Sequence, residues 1–334
     1  MNDRSFKTEI SIAGFAVIIV LLPLIVKGNY FVSVMNLVAI YAVLAMGMGL
    51  LMGQAGLISL AHPAWFGLGA YISGILAARG ILPAWATPFV SAVGVGIVAY
   101  VVGAPVLRLR SYYLACATLA LLLITQIAAG QLSDLTGGHE GLLGIPVLTV
   151  FGFEFKKDLH FYYLSWALCL ICYWFLANLL NSQVGRAIRS FNSSEIASAS
   201  MGIDIAKYKR HAFVLTAIMA GLAGSVFCFY IRLAIPSSFE FPLLVTLMMM
   251  VVIGGIQDLH GALIGSLAVI WLGEFLRNYM KNFFTSMTSE VEAVFFGIII
   301  IVVLIFMPDG LTGWINRIPS WGKRLYERKQ TSNQ

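Results

Sequence analysis

Long uninterrupted apolar runs dominate this chain and dictate the solvent it folds in. Residues 10–26 read ISIAGFAVIIVLLPLIV and residues 294–307 read VFFGIIIIVVLIFM, both without a charge. A helix crosses the ~30 Å hydrocarbon core of a bilayer with about 20 apolar residues. Unpaired backbone groups are so costly there that only helices and closed barrels span it. Barrel strands would alternate apolar and polar side chains, whereas these runs are apolar all round. Of the 334 residues, 60% are hydrophobic and 11% charged, against about 25% charged in a soluble domain. No polar stretch is long enough to form a soluble domain. The expected fold class is all-α: a polytopic membrane helical bundle, one domain over residues 1–334.

Ten spans are expected, at about 10–27, 31–52, 63–79, 86–107, 112–131, 160–180, 211–231, 242–256, 261–278 and 291–308. With the N-terminus in the cytoplasm both basic tails lie inside, an N-in/C-in arrangement that an odd span count would break. Fourteen Lys and Arg then fall inside and seven outside, as the positive-inside rule requires. The first run is long for a signal sequence and is followed by Lys27-Gly28-Asn29-Tyr30, not a small-x-small cleavage site, so it is expected to stay as a span. Cys116, Cys169, Cys172 and Cys228 all sit in apolar runs. Cys169-x-x-Cys172 has no His or acid beside it and reads as two buried thiols, not a metal or redox motif. The net charge of +6 comes with no nucleic-acid-binding motif; lipid is the expected surrounding.

Two connections are too apolar at their flanks for ordinary loops: GQAGLISLAHPAW at 53–65 and GGIQDLHGALIG at 254–265. Irregular backbone at membrane depth survives only where protein or a watery cavity surrounds it, and paired Gly/Pro interruptions point to a transport pathway. Candidate path residues are Gln54, Ser59 and Thr118, which offer hydrogen bonds, and the ionisable His62, Asp258 and His260. The competing reading of a His beside a helix break is a structural donor. Glu274 is expected to pair with Arg277 three residues on. In the seventh span Ala217, Gly221 and Ser225, and Ala220 and Gly224, form small-residue rows suited to close helix approach, within the chain in preference to a subunit interface. The outer connection at 132–159 carries SDLTGGHEGLLGIP, whose glycines call for tight turns. It is expected to fold over the mouth of the bundle.

Between two apolar spans lies a polar, basic island at 181–210, NSQVGRAIRSFNSSEIASASMGIDIAKYKR, holding five of the 21 Lys and Arg. Ser193-Ser194-Glu195 supplies a hydroxyl N-cap and a first-turn acid. Ile196, Ala197, Ala199 and Met201 follow, and Gly202 can end the helix in a left-handed cap. A loop that only obeyed the positive-inside rule would need no capped helix. A short helix of this kind suits a groove on a cytoplasmic partner.

The island, with Gly185-Arg186-Ala187-Ile188-Arg189, Glu195-Ile196-Ala197 and Gly202-Ile203, resembles the coupling loop of the branched-chain amino acid ABC-importer permeases. Further likenesses are GQAGLISLAHPAWFGLGAY at 53–71, Arg108-Leu109-Arg110-Ser111-Tyr112-Tyr113, Thr136-Gly137-Gly138, AFVLTAIMAGLAG at 212–224, VVIGGIQDLHGALIGS at 251–266 and Pro308-Asp309-Gly310-Leu311. Together they cover about residues 30–315. The resemblance implies an inner-membrane permease subunit that works with a homologous second permease, two cytoplasmic ATPases and an extracytoplasmic solute-binding protein. Arg186, Arg189, Ser194, Glu195, Ala197 and Gly202 would form the ATPase-coupling loop, with Ile196 where the wider superfamily has Ala. Permeases for urea and short amides look similar and give the alternative cargo. The chain has no G-x-x-x-x-G-K-[ST] phosphate loop, so ATP would be used by the partners, and no catalytic residue, metal or cofactor of its own is expected. An ion-coupled carrier would call for paired buried acids, which are missing from the spans. A membrane-embedded enzyme would have to use His62 with Asp258.

Overall fold

Gly and Pro divide the apolar runs into helices, and a computed structural model shows where each begins and stops. It describes residues 19, 22–23, 28–150, 152–280, 297 and 310–313. The spans expected at 10–27 and 291–308 lie almost wholly outside these residues, as do both basic tails.

Helix α1 (Asn29–Gly49) runs on through a π-helical turn, Leu50–Gln54, into an irregular stretch with Gly56 at φ +64°. Helix α2 (His62–Ala78) opens with Pro63 and α3 (Thr87–Val106) with Pro88, positions where the missing N–H costs the helix nothing. Helix α4 covers Ser111–Gln131. A short α5 (Ser133–Thr136), a 3-10 turn and a two-residue hairpin, β1 (Thr149–Val150) with β2 (Phe153–Glu154), lead to α6 (Asp158–Asn181). The island holds α7 (Gln183–Ser193) and α8 (Glu195–Ser200). Then come α9 (Ile205–Ile231), α10 (Phe241–Gly254) and α11 (Leu259–Met280).

Among the described residues six helices are long and apolar enough to cross a membrane, at Asn29–Gln54, Thr87–Val106, Tyr112–Gln131, Asp158–Asn181, Ile205–Ile231 and Pro236–Gly254. The expected spans at 63–79 and 261–278 form helices whose apolar parts, His62–Ala78 and Leu259–Phe275, are shorter. The protein is a multi-pass helical membrane protein. The span expected from residue 211 starts earlier, at Ile205, so Lys207, Lys209 and Arg210 lie in its first turns.

Helix α9 is the hub, packed against α1, α2 and α3. Its small-residue rows meet α2 backbone to backbone. A Cβ on Gly224 would lie 2.0 Å from the Phe66 carbonyl oxygen, and one on Gly69 would lie 2.2 Å from that of Gly221. Ser225 and Ser73 share a buried 2.6 Å hydrogen bond across the seam. In lipid, where apolar surface gains nothing by leaving solvent, such van der Waals contact and interhelical hydrogen bonding hold helices together. The small-residue rows therefore serve packing within the chain. Helix α1 is buried on nearly every side from Val38 to Met46. By contrast α3, α4 and α6 turn Phe89, Ile97, Tyr112, Ile124 and Ile171 outward, as lipid-facing helices do.

The outer connection is folded, as its glycines require. Gly137, Gly138, Gly141 and Gly144 all have positive φ, and Leu142 bridges to Ala234 beyond α9. Leu142 and Ile145 lie close over Gly74 of α2.

Candidate functional site

The island is an arm of two capped helices set at right spacing to grip the bundle on one side and stay open on the other. Ser182 accepts hydrogen bonds from the Val184 and Gly185 amides at the start of α7. Val184, Ala187, Ile188 and Phe191 then recur at helical spacing and turn inward, Ile188 and Phe191 fully buried. Gly185 is needed where α7 folds back on α6, since a Cβ would come within 2.4 Å of the Leu180 carbonyl oxygen. Arg186 and Arg189 donate to the Asn181 and Leu180 carbonyls at 3.3 and 2.5 Å. These two guanidinium groups thus neutralise the negative end of α6.

Ser194 caps α8 by accepting from the Ala197 amide at 3.3 Å. Its first-turn Glu195 pairs with Lys209 of α9 at 2.6 Å. The helix stops at Gly202, whose φ of +79° lies in the left-handed region and whose Cα faces open space. Ile196 and Met201 are 84% and 79% exposed, two large apolar side chains on the open side of the arm. Asp204 caps α9 through the Lys207 amide.

The two expected breaks meet each other. A Cβ on Gly53 would lie 1.8 Å from the Ile256 carbonyl oxygen, so the chains touch directly there. Gln54 Nε2 donates to the Gln257 carbonyl at 2.5 Å. Thr312 docks on the same place, its hydroxyl donating to the Gly254 carbonyl at 2.8 Å. Asn192, near the end of α7, joins the arm to this contact: its Nδ2 donates to the Gly53 carbonyl at 3.1 Å, and its Oδ1 fills the space where a Cβ of Gly56 would stand. A cleft of about 480 Å³ opens here between Met52, Gly53, Asn192, Gly255–Asp258 and Gly313.

The candidate path residues divide. Ser59 and His62 are buried; the Ser59 hydroxyl makes no hydrogen bond, and the His62 ring faces the Ser59 and Gly47 backbones without a hydrogen bond of normal geometry. Gln54 Oε1 is likewise unpartnered. Buried polar groups normally find partners, so the Ser59 hydroxyl and Gln54 Oε1 keep bonding capacity free at the first break. Thr118 does not: it accepts from the Leu60 amide and donates to the Leu114 and Ala115 carbonyls. It pins the break to α4. His260 bonds the Tyr173 hydroxyl of α6 at 2.8 Å, a link between helices. Asp258 is exposed at the cleft and makes no hydrogen bond to the buried His62. Glu274 pairs with Arg277 at 3.6 Å and accepts from Tyr30.

Sequence reasoning placed one helix in the arm and missed α7. Its signal was there, in Ser182 as a cap followed by Val184, Ala187, Ile188 and Phe191. Asn192 carried no local signal, because its partner is 139 positions away.

Nothing in this arrangement offers a nucleophile with its base, and among the described residues no group of three His, Cys, Asp or Glu could hold a metal. Comparison with known proteins bears on function directly. The chain is similar to the high-affinity branched-chain amino acid transport system permease protein LivM of Escherichia coli K12, 26% identical over 93% of this chain and 76% of the relative. The Salmonella typhimurium protein of the same name is 27% identical with the same coverage. A probable branched-chain amino acid transport permease protein LivH of Methanocaldococcus jannaschii is 26% identical over 81% of this chain and 87% of the relative. No solved structure matches significantly. Residues 30–304 match the family described as branched-chain amino acid transport system / permease component, and the chain belongs to that family of transport permeases.

Proposed function

We propose that this protein is the permease subunit of an ATP-driven importer for leucine, isoleucine and valine, and that it works beside a second, homologous permease. Two ATPase subunits would bind the arm at 181–210 in the cytoplasm, and an extracytoplasmic binding protein would deliver cargo near 132–159. The observation that carries this reading is the arm itself: a capped helix with Ile196 and Met201 outward, anchored through Lys209 to the hub helix α9. Arg186, Arg189, Ser194, Glu195, Ala197 and Gly202 build and brace it. Ten spans with both termini inside put the arm and the cleft at Asn192 on one face.

The mechanism follows from rigidity. Closure of the ATPases on ATP would push α8, and the Glu195–Lys209 pair and the buried face of α7 pass that displacement to α9. Because α9 meets α2 backbone to backbone, it moves α2 as a body. The pathway then switches between outward and inward access, two states whose balance ligands set by binding one better than the other. Gln54, Ser59 and His62 line the first break and offer passing hydrogen bonds along an otherwise apolar route. A weak route is suited to a permease supplied by a binding protein, since a tight midplane site would hold its cargo.

The test is uptake of radiolabelled leucine, isoleucine and valine into vesicles carrying the full complex, against urea and acetamide as competitors. Saturable, ATP-dependent uptake of the three amino acids supports the reading. Uptake of the amides alone overturns the cargo assignment.

A further inference from the structure

Asn192 bonds the arm to the first irregular break and lines the cleft beside the second. Its carboxamide is the one side chain of α7 and α8 that hydrogen-bonds to either break among the described residues. The bond reaches the Gly53 carbonyl, and Gly53 lies against the Ile256 backbone with no room for a Cβ. Gln54, next in the chain, ties down the Gln257 carbonyl. Gly56, at φ +64°, turns the chain so that Asn192 Oδ1 sits where its Cβ would be. Two glycines in the first break are therefore required by contacts, one with the second break and one with the arm. The pieces come from positions near 53, 192 and 256, so their meeting is a product of the fold and not of local sequence.

We propose that Asn192 is a positioning residue that latches a gate made by the two breaks at Gly53–Gly56 and Gly255–Asp258. The proposal rests on the reading of the arm as the ATPase-coupling element and assigns how its movement reaches the pathway. The Asn192 amide donates to a carbonyl at the end of a π-helical turn, where the i→i+4 ladder is already broken and the backbone has a second arrangement open to it. Pulling α7 away withdraws the donor. The Gly53 carbonyl is then released, the backbone contact with Ile256 loosens, and the cleft of about 480 Å³ lined by Gln257 and Asp258 extends toward Gln54 and Ser59. In the resting state the latch keeps solute from leaking through.

The experiment uses the full complex, reconstituted with its partner subunits. Asn192→Ala removes the donor. Asn192→Asp keeps the shape and puts a carboxylate against the Gly53 carbonyl. Gly56→Ala displaces the carboxamide by bulk and also strains the backbone at φ +64°. Each is combined with Ser59→Cys, a position buried while the latch is closed, in a Cys116→Ser background, and thiol labelling of Cys at 59 is timed in the absence of ATP. ATPase retention, ATP hydrolysis and uptake are read on the same preparations. The latch predicts retained ATPase subunits and hydrolysis, uptake lowered about tenfold, and labelling faster by about the same factor, the scale of one hydrogen bond to equilibrium. Wild-type labelling and uptake in all three variants would overturn it. So would loss of the ATPase subunits, which would make Asn192 a docking residue. If uptake by the unaltered complex does not depend on ATP, the coupling reading fails, and faster labelling of the variants still reports on the gate alone.

Discussion

Lys209 and Glu195 stand 2.6 Å apart, joining the first turn of α8 to the second turn of α9 fourteen positions along the chain. The Lys209 side chain is only 14% exposed, and its ammonium also lies 5.9 Å from the centre of the Phe191 ring. One cation thus holds α7, α8 and α9 together, and the arm moves with the hub helix. Glu195 is more than half exposed, so the pair contributes at most about 1 kcal/mol; breaking it loosens the arm and leaves the bundle folded. Glu195→Lys is expected to insert normally and to lose most ATP-dependent uptake. The exchange Glu195→Lys with Lys209→Glu restores the pair and is expected to recover part of that uptake, measured in vesicles with the full complex.

Ile196 and Met201 have little to do inside the chain and are expected to contact the ATPase. Replacing either with Asp changes an exposed position, worth less than about 0.5 kcal/mol of stability. Detergent-purified protein should melt at the wild-type temperature, while the ATPase subunits co-purifying with it fall about tenfold. Unchanged retention would remove these side chains from the contact. Gly202→Trp has room for its side chain but must adopt a positive φ, so it unwinds the end of α8 and is expected to reduce retention as well.

The seam between α2 and α9 tolerates no added side chain. Gly224→Leu drives a Cβ into the Phe66 carbonyl, and Gly69→Leu drives one into Gly221. Neither backbone can yield without parting the helices, at a cost above about 3 kcal/mol. Both variants should lose the folded monomer peak on size exclusion. Ser225→Ala, which removes the hydroxyl's bonds to Ser73 and to the Gly69 and Gly221 carbonyls but adds no bulk, should keep it, at a cost near 1 kcal/mol.

The proposed ten-span arrangement makes a prediction about sidedness. With Lys156→Cys and Lys207→Cys in a Cys116→Ser background, an impermeant thiol reagent added to intact cells should label position 156 and spare position 207. Label reaching both from one side would remove the ten-span arrangement with both termini inside.

The parts of this protein legible in its sequence are those governed by short spacing. The caps at Ser194 and Gly202, the rows through Gly221 and Gly224, and the turns around Gly137 depend on neighbours within a helical turn or two. Span ends were legible only to a few residues, because an amphipathic basic segment such as Lys207–Arg210 extends a helix as readily as it ends one. What could not be read locally was partnership across the chain. The Leu60 amide reaches Thr118 from 58 positions away, and Tyr173 reaches His260 from 87. The meeting of Gly53 with Ile256 left its trace only as glycine in two apolar contexts.

The most direct measurement is leucine flux into vesicles holding this permease and its membrane partner, with and without the two ATPase subunits and ATP. Force transmitted through the arm predicts uptake only when both are present, and its loss in Glu195→Lys. Full-speed uptake without the ATPases would contradict it.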